Sequence, residues 1–421
     1  MSFAAKADVP ALTGVRGVAA LLVACYHYFL PVLPYGSTGH QLLGRGYLYV
    51  DLFFVLSGYV MALNYGWLFA GGVRLTSVAA FLWKRFARIY PLYACVLAAM
   101  TLGYWLVHGD FVRHEGWIVV AMADPRVEIP LNVALVQSWG FAEAVVGQAW
   151  SVSTEVAAYL VFPWLAYLVL RRPAAHPVRT LVILLAAMCL PVISTWLAAG
   201  DGQYHIGTLD IWNGPPALLR CLGGFLIGMI LHHLASWASV CIAFTDMFGF
   251  AVIAVYVALL LAEAPDLVLY PALPLLVLCL AGNQGWMGKM FGSPPVYVLG
   301  LLSYAFYLVH VYFIPATNWF ERVLAGTVPE TLAYPIATLS GATALLGVSA
   351  AAYLCVEKPA RRLISRIGSL GGRADRGRVT GDHTLGDANP TAMAVATSCH
   401  LLPAGRLPGE RLPCAWPHSV R

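Results

Sequence analysis

Long apolar segments, separated by short polar or proline-containing breaks, run along most of the 421-residue chain. A helix that crosses a bilayer needs about 20 consecutive, mostly apolar residues. The pattern predicts ten such helices, near residues 15–34, 48–69, 89–107, 149–170, 179–199, 214–234, 239–262, 265–283, 297–319 and 333–356. The sequence therefore predicts an all-α integral membrane protein.

One stretch, residues 108–147, does not fit this pattern. It holds two weaker apolar runs, Trp117–Ala123 and Leu131–Trp139, divided by the segment ADPRVEIP. Each run is too short to cross a bilayer, so we expect both to be interfacial or re-entrant. If one of them crossed, the orientation of every later helix would be inverted.

Composition agrees with membrane insertion. Hydrophobic residues make up 60% of the chain and charged residues 11%, whereas a soluble protein has about 25% charged residues. Because the basic residues stand at the ends of the apolar segments, the net charge of +5 indicates a lipid bilayer as partner and no nucleic acid. The first segment is not typical of a cleavable signal peptide, since no A-x-A-like cleavage site follows it.

The basic clusters predict the orientation of the helices. With ten spans and a cytoplasmic N-terminus, three clusters fall on the cytoplasmic side, as the positive-inside rule requires. They are Lys84, Arg85 and Arg88; Arg171, Arg172 and Arg179; and Arg361, Arg362 and Arg366. We expect both termini to be cytoplasmic and the protein to lie in the cytoplasmic (inner) membrane.

The character of the chain changes after residue 368. Residues 1–368 form the predicted membrane domain, and residues 369–421 have the Gly-, Arg-, Asp- and Pro-rich composition of a disordered cytoplasmic tail. The tail carries three histidines and two cysteines, for which solvation is a simpler interpretation than metal binding. Because no C-x-x-C pair occurs, the cysteines of the apolar segments are interpreted as core residues and no metal site is expected.

Candidate chemistry begins in the first apolar segment, LTGVRGVAALLVACYHYF, where Arg16 and His27 are eleven positions apart. On a helix they lie roughly 16 Å apart along the axis. Ionisable groups inside a membrane helix are costly and therefore indicate function.

The second segment, YVDLFFVLSGYVMALNY, adds Asp51 near its outer end and Ser57-Gly58 in its middle. The Ser-Gly pair favours close approach of a neighbouring helix, and for Ser57 packing is the simpler interpretation than chemistry. Asp51 lies at a depth that His27 can reach. A histidine oriented by a carboxylate is a common general base.

Lys84, Arg85 and Arg88 stand in FLWKRFARIYPLY at the start of the third segment. Two interpretations fit these residues: orientation of the helix alone, or phosphate binding together with Arg16, which is predicted to lie at the same membrane level. Lys84 and Arg88, four positions apart, share one helical face. Both interpretations remain open at this point.

Two further segments place polar groups inside apolar helices. Glu155 in QAWSVSTEVAAYLVFP must be paired, protonated or exposed to water, and Tyr159 lies on its face one turn later. His310 in LGLLSYAFYLVHVYFIP is either a site residue or a structural histidine bonded to a carbonyl group.

In type and order these pieces resemble the membrane acyltransferase-3 family. The resemblance covers roughly residues 10–366 and is carried by LTGVRGVAALLVACYHYF, DLFFVLSGYVMAL, FLWKRFARIYPLY, AWSVSTEVAAYLVFP, LSYAFYLVH and VEKPARR. It implies a ten-helix enzyme that transfers an acyl group from acyl-CoA, with acetyl-CoA the expected donor and no bound cofactor, to a hydroxyl group of an envelope polysaccharide, lipopolysaccharide or glycoside. It implies essential roles for Arg16 and His27 and roles for Arg85, Arg88 and Glu155.

The site that follows has His27, Asp51 and Glu155 as catalytic residues and Arg16, Lys84, Arg85 and Arg88 as donor-binding residues. Ser57, Tyr159 and His310 are possible lining residues, and no metal is involved. Two alternative functions remain: a multi-span transporter, which would not consume acyl-CoA, and a non-catalytic acyl-group flippase, which would tolerate loss of His27.

Overall fold

The structure is a computed structural model that describes residues 8–106, 124–170, 177–200, 202, 204–235 and 245–364. The predicted tail, residues 369–421, and the run Trp117–Ala123 lie outside the described residues. Regular structure in the described ranges is helical. The helices are α1 (Pro10–Phe29), α2 (Thr38–Leu43), α3 (Tyr49–Tyr65), α4 (Leu75–Leu106), α5 (Pro125–Val133), α6 (Trp150–Leu170), α7 (Pro177–Gly200), α8 (Gly214–Leu234), α9 (Asp246–Leu261), α10 (Asp266–Leu269), α11 (Ala272–Gly282), α12 (Trp286–Phe291), α13 (Pro294–Val309), α14 (Phe313–Ala325) and α15 (Glu330–Ala352).

Eight helical segments of the described chain are long and apolar enough to cross a membrane. They are Pro10–Val32, Thr38–Leu68, Leu75–Gly103, Gly147–Leu170, Val178–Gly200, Gly214–Leu234, Pro294–Ala325 and Thr331–Ile364. The prediction of an all-α membrane protein is thus confirmed. The other two predicted spans correspond to shorter apolar helices, Asp246–Leu261 and Asp266–Gly282. The first has 16 residues, so it is about 24 Å long, less than the roughly 30 Å of a hydrocarbon core.

Large apolar side chains on the outside of the bundle support a membrane location. Val178, Trp196 and Leu339 are each 71% exposed, and many leucines and valines of α7 and α15 are exposed as well. A soluble monomer rarely presents apolar surface on this scale, because water penalises it. In a bilayer the same side chains contact lipid at no such cost.

The second half of the unusual segment 108–147 forms the short helix α5. Nine residues span only about 14 Å, so α5 is too short to cross a bilayer. Its buried residue Asn132 donates to the backbone oxygens of Glu128 and Glu143, and it accepts from the N–H of Val145. These bonds satisfy a non-helical turn that is packed inside the protein.

Glycines let the central helices touch backbone to backbone. A Cβ at Gly58 would collide with the carbonyl oxygen of Phe225, so α3 and α8 are in direct contact, as the Ser-Gly pair predicted. In the same way, a Cβ at Gly17 or Gly300 would collide with the opposite backbone, which joins α1 to α13. The α1–α13 pair carries much of the site described below.

Both ends of the described chain lie at the same end of the bundle. The hydroxyl of Tyr297, at the start of α13, donates to the carboxylate of Asp8, with 2.6 Å between the oxygens. The indole N–H of Trp83, beside the basic cluster of α4, donates to the carbonyl oxygen of Ile364 at 3.0 Å. Asp8, Tyr297 and Arg361 also line one cavity, which places the two ends of the described chain on the same side. The cytoplasmic location of this end stays a prediction from the basic clusters.

Candidate active site

A cavity of about 320 Å³ opens at this end of the bundle and runs inward between α1, α3, α4, α6 and α13. Four guanidinium groups and two carboxylates line it, together with hydroxyl and apolar groups. The charged members are Arg16, Arg85, Arg88, Arg361, Asp8 and Glu155. A partly apolar pocket of this volume with an excess of arginines suits an anionic ligand that has an apolar portion.

Arg16 is held in the wall between α1 and α13. Its Nε donates to the hydroxyl of Ser303 at 3.1 Å and its Nη2 to the carbonyl oxygen of Gly300 at 3.2 Å. The close approach at Gly300 brings this carbonyl within reach of α1. These bonds fix the orientation of the Arg16 side chain, which lines the cavity.

Arg85 is a buried arginine surrounded by aromatic rings. Its Nη2 donates to the hydroxyl of Tyr65 at 2.8 Å, and its guanidinium carbon lies 4.9 Å from the ring centre of Tyr65 and 5.9 Å from that of Tyr159. Aromatic faces stabilise a guanidinium while leaving its edge for planar anions. The position suits Arg85 to a phosphate oxygen.

Arg88 lies in the cavity wall next to an acidic partner. Its Nη1 is 3.2 Å from Oε1 of Glu357, which is 1% exposed. Glu357 ends a π-helical turn, Tyr353–Glu357, and such turns often accompany functional sites. The VEKPARR segment therefore takes part in the site by fixing Arg88.

Lys84 and Arg88 both lie on α4, four positions apart, and donor binding by Lys84 stays a prediction. The cavity is lined by Arg85 and Arg88, three positions apart on α4, whereas Lys84 lies outside the lining, with its Nζ 5.6 Å from the ring centre of Tyr65. The fourth cation that lines the cavity, beside Arg16, Arg85 and Arg88, is Arg361. From the sequence, Arg361 was expected only to orient the last helix, although its position four residues after Glu357 was a usable signal.

Glu155 faces the cavity, as does its predicted neighbour Tyr159. The Tyr159 hydroxyl donates to Oε1 of Glu155 at 2.5 Å, and the Oγ atom of Ser57 lies 3.4 Å from the same hydroxyl. All three residues line the cavity. The structure thus brings Glu155, Tyr159 and Ser57 together with the arginines, and not with His27.

The inner end of the cavity is formed by Phe53, Ser151 and Tyr307. The hydroxyl groups of Ser151 and Tyr307 are 2.9 Å apart, and the rings of Phe53 and Tyr307 meet edge to face at 5.6 Å. Ser151 is the second residue of α6, and Tyr307 lies in the last turn of α13. His310 lies one helical turn beyond Tyr307 and bonds its carbonyl oxygen, so this part of the cavity is the part next to the histidines.

The histidines of α1 and α13 contact each other directly behind Tyr307. Nδ1 of His27 is 3.2 Å from Nε2 of His310, and Nδ1 of His310 is 2.7 Å from the carbonyl oxygen of Tyr307. His310 is fully buried and bonds a carbonyl group, as one of its two interpretations expected. Its membership of the site stays a prediction, supported by its contact with His27.

The predicted pairing of Asp51 with His27 is wrong. Asp51 accepts two bonds from Arg220 of α8, with Nε–Oδ1 3.0 Å and Nη2–Oδ2 2.7 Å, and both side chains are 0% exposed. Nδ1 of His27 instead faces Val23 and His310. Glu155, the other predicted orienting group, lies in the cavity with Tyr159.

Arg220 is the residue that the sequence analysis missed. Besides Asp51 it binds the carbonyl oxygens of Ile211 at 2.9 Å and Tyr47 at 3.0 Å, and its guanidinium carbon lies 5.2 Å from a ring centre of Trp150. A lone arginine inside the apolar segment of α8 was a signal of the same kind as Arg16.

Comparison with known proteins agrees with this geometry. The family model for an acyltransferase domain matches residues 9–354, so the chain belongs to the acyltransferase-3 family. Acyltransferase MdmB of Streptomyces mycarofaciens is 28% identical over 394 residues, which cover 85% of this chain and 93% of that protein. Protein 2 in the picA locus of Rhizobium radiobacter is 34% identical over 166 residues, covering 36% of this chain and 78% of that protein. No solved structure matches. The chain is a multi-pass membrane acyltransferase.

Proposed function

We propose that the protein transfers an acyl group from acyl-CoA to a hydroxyl group of a carbohydrate acceptor, such as an envelope polysaccharide, lipopolysaccharide or glycoside, in the cytoplasmic membrane. The observation that carries the proposal is the arginine-lined cavity, which ends one helical turn from the His27–His310 pair. Family membership supports acyl transfer in general, and the donor and the acceptor are the proposed part.

The positive charge of the cavity lining suits the phosphate groups of the proposed donor. CoA carries phosphate groups at one end and a thioester at the end of a long arm, so its binding site needs cations near the mouth and a less polar inner end. Arg16, Arg85, Arg88 and Arg361 line the cavity, as do the less polar side chains of Phe53 and Tyr307. Arginine forks are well matched to phosphate oxygens.

The histidine pair suits the acceptor. A neutral hydroxyl group is a weak nucleophile at pH 7, so attack on a thioester needs a base at the reacting oxygen. His27 is the proposed base, and we expect the acceptor to reach it from the outer side. The acceptor oxygen attacks the thioester carbonyl carbon, the C–S bond breaks, and the proton taken by His27 passes to the CoA sulfur.

Each of the two alternative functions differs from acyl transfer in one testable respect. A transporter leaves acyl-CoA intact, and a non-catalytic flippase keeps the arginine cavity but does not need His27. No observation on the described residues favours either over acyl transfer.

Donor binding is tested first, on the purified protein in detergent, by isothermal titration with CoA, dephospho-CoA and pantetheine. Tightest binding by CoA, with progressive loss as phosphates are removed, is the expected result. Equal binding of pantetheine and CoA would mean that the arginines do not hold phosphate and would overturn the donor assignment.

Transfer is tested by mass spectrometry of envelope glycans and secreted glycosides from three strains: one lacking the gene, one complemented with the wild type, and one complemented with His27→Ala. An acyl increment on a carbohydrate in the wild-type strain alone is expected. An increment that survives in the His27→Ala strain would favour the flippase.

A further inference from the structure

The two buried imidazoles form a defined pair rather than a random contact. His27 lies in the last turn of α1, and His310 follows the last residue of α13. Their ring centres are 5.0 Å apart, and one nitrogen of each ring lies 3.2 Å from one nitrogen of the other. Because a hydrogen bond joins a donor to an acceptor, the protons of the pair can be assigned.

The backbone carbonyl groups make that assignment. Nδ1 of His310 is 2.7 Å from the carbonyl oxygen of Tyr307, which can only accept, so Nδ1 carries the proton and Nε2 carries a lone pair. Nδ1 of His27 is 2.9 Å from the carbonyl oxygen of Val23 and is protonated for the same reason. The N–H of His27 is thus shared between Val23 and Nε2 of His310, and every bond has one donor and one acceptor.

We infer that His310 is a positioning residue that fixes His27 as the tautomer whose Nε2 accepts the proton of the acceptor hydroxyl. This inference rests on the proposed function. In the reaction Nε2 of His27 takes the hydroxyl proton while the acceptor oxygen bonds to the thioester carbon. The C–S bond then breaks, and the same proton passes to the departing sulfur. Nδ1 of His310 keeps its proton throughout and donates it to the carbonyl oxygen of Tyr307, while Nε2 of His310 accepts from Nδ1 of His27 and so stabilises the imidazolium of His27.

A neutral orienting group suits this location. A carboxylate in the same place would need a compensating cation or several donors, because burial of a charge is costly. The neighbours of His310 include the ring of Phe306, stacked at 6.4 Å, and the ring of Tyr307 at 5.8 Å. Asp51, the carboxylate that the sequence suggested as the orienting group of His27, is bound by Arg220 instead.

Three substitutions at His310 separate positioning from packing. In His310→Gln the side-chain amide oxygen can occupy the place of Nε2 and still accept from His27. In His310→Asn the shorter chain reaches the place of Nδ1 only, and His310→Leu removes both nitrogens. We expect kcat within about tenfold of the wild type for glutamine and a loss on the order of 10²-fold for asparagine and leucine.

The accompanying readouts identify the cause. The KM for acyl-CoA should stay within about twofold in all three variants, because the arginine cavity is untouched and only the reacting end is disturbed. His232→Gln is the matched control, since His232 lies at the end of α8 against Tyr59, away from the cavity and the pair. Equal kcat for the glutamine and asparagine variants would overturn the inference.

The wild-type protein gives a second measurement that needs no variant at His310. In bilayers of protein labelled with ¹⁵N-histidine, solid-state NMR should show His310 protonated at Nδ1, with its signal assigned through the contact to His27. Protonation at Nε2 instead would overturn the pairing. The proposed function fails separately: if His27→Ala keeps wild-type turnover, His27 is not the base, whereas an inactive His27→Ala with a fully active His310→Leu refutes only the role of His310.

Discussion

We expect replacement of Asp51 by asparagine to destabilise the folded protein strongly. The cause is structural, the loss of the partner of Arg220, rather than a direct effect on the reaction. Asp51 is the only side chain among the described partners of Arg220 that carries a negative charge and bonds to it directly, at 3.0 and 2.7 Å. Both groups are 0% exposed. Asparagine keeps one acceptor oxygen but turns an amide N–H₂ toward the guanidinium, so one charge-assisted bond and the whole counter-charge are lost.

The expected loss is about 3–5 kcal/mol of unfolding free energy, because it leaves an uncompensated buried charge. Arg220 also donates to the carbonyl oxygens of Ile211 and Tyr47, so a displaced guanidinium would release the chain before α3 and before α8. Asp51→Asn/Arg220→Gln removes both charges. Its loss of unfolding free energy should therefore be smaller, by about 2 kcal/mol, than the sum of the losses of the two single variants.

Unfolding in mixed micelles of dodecyl maltoside and SDS, followed by tryptophan fluorescence, measures these differences at a fixed protein concentration. The donor KM and kcat are measured on each variant below its unfolding midpoint. An Asp51→Asn protein as stable as the wild type, with kcat reduced on the order of 10³-fold, would refute the structural role and restore Asp51 to the chemistry.

Three other predictions follow from the site. His27→Ala should lower kcat on the order of 10²–10⁴-fold while CoA binding by titration is unchanged, and a purified variant with wild-type turnover would remove His27 from the mechanism. Arg88→Ala should raise the KM for acyl-CoA more than that for the acceptor, and more than Lys84→Ala does, because only Arg88 lines the cavity; equal effects of the two variants would contradict the cavity assignment. On a cysteine-free background, an impermeant maleimide should label a Thr38→Cys protein in cells with an opened outer barrier but a Ser77→Cys protein only after permeabilisation, and the reverse pattern would invert the topology.

Local patterns were sufficient for much of the fold. Runs of apolar residues located the eight long helices of the described residues, although α4 begins at Leu75 rather than near residue 89. The Ser57-Gly58 pair indicated the close contact of α3 with α8, because period and residue size act over a few neighbouring positions. The bond from Tyr159 to Glu155 followed from a spacing of four on one helix. Each of these inferences needed one segment only.

Pairings between distant segments could not be obtained in this way. Asp51 and Arg220 are 169 positions apart, and His27 and His310 are 283 apart. A single sequence shows that each of these groups needs a partner, but several partners of suitable depth exist. The expected depths of His27 and Asp51 in the membrane made the two residues plausible partners. The pairing was wrong because Arg220, which carries the opposite charge and lies in the same layer, satisfies the carboxylate better.

The glycine contact between α1 and α13 has a consequence for the choice of donor. Arg16 and His27 belong to one of these helices, Tyr307 and His310 to the other, and the backbones touch at Gly17 and Gly300. Rigid backbone, rather than adjustable side chains, therefore sets the separation of Arg16 and His27, which is roughly 16 Å along α1. Under the proposed function, we expect the site to discriminate against a donor whose arm between phosphates and thioester is shorter or longer than this separation, even where its acyl group and its charge are suitable.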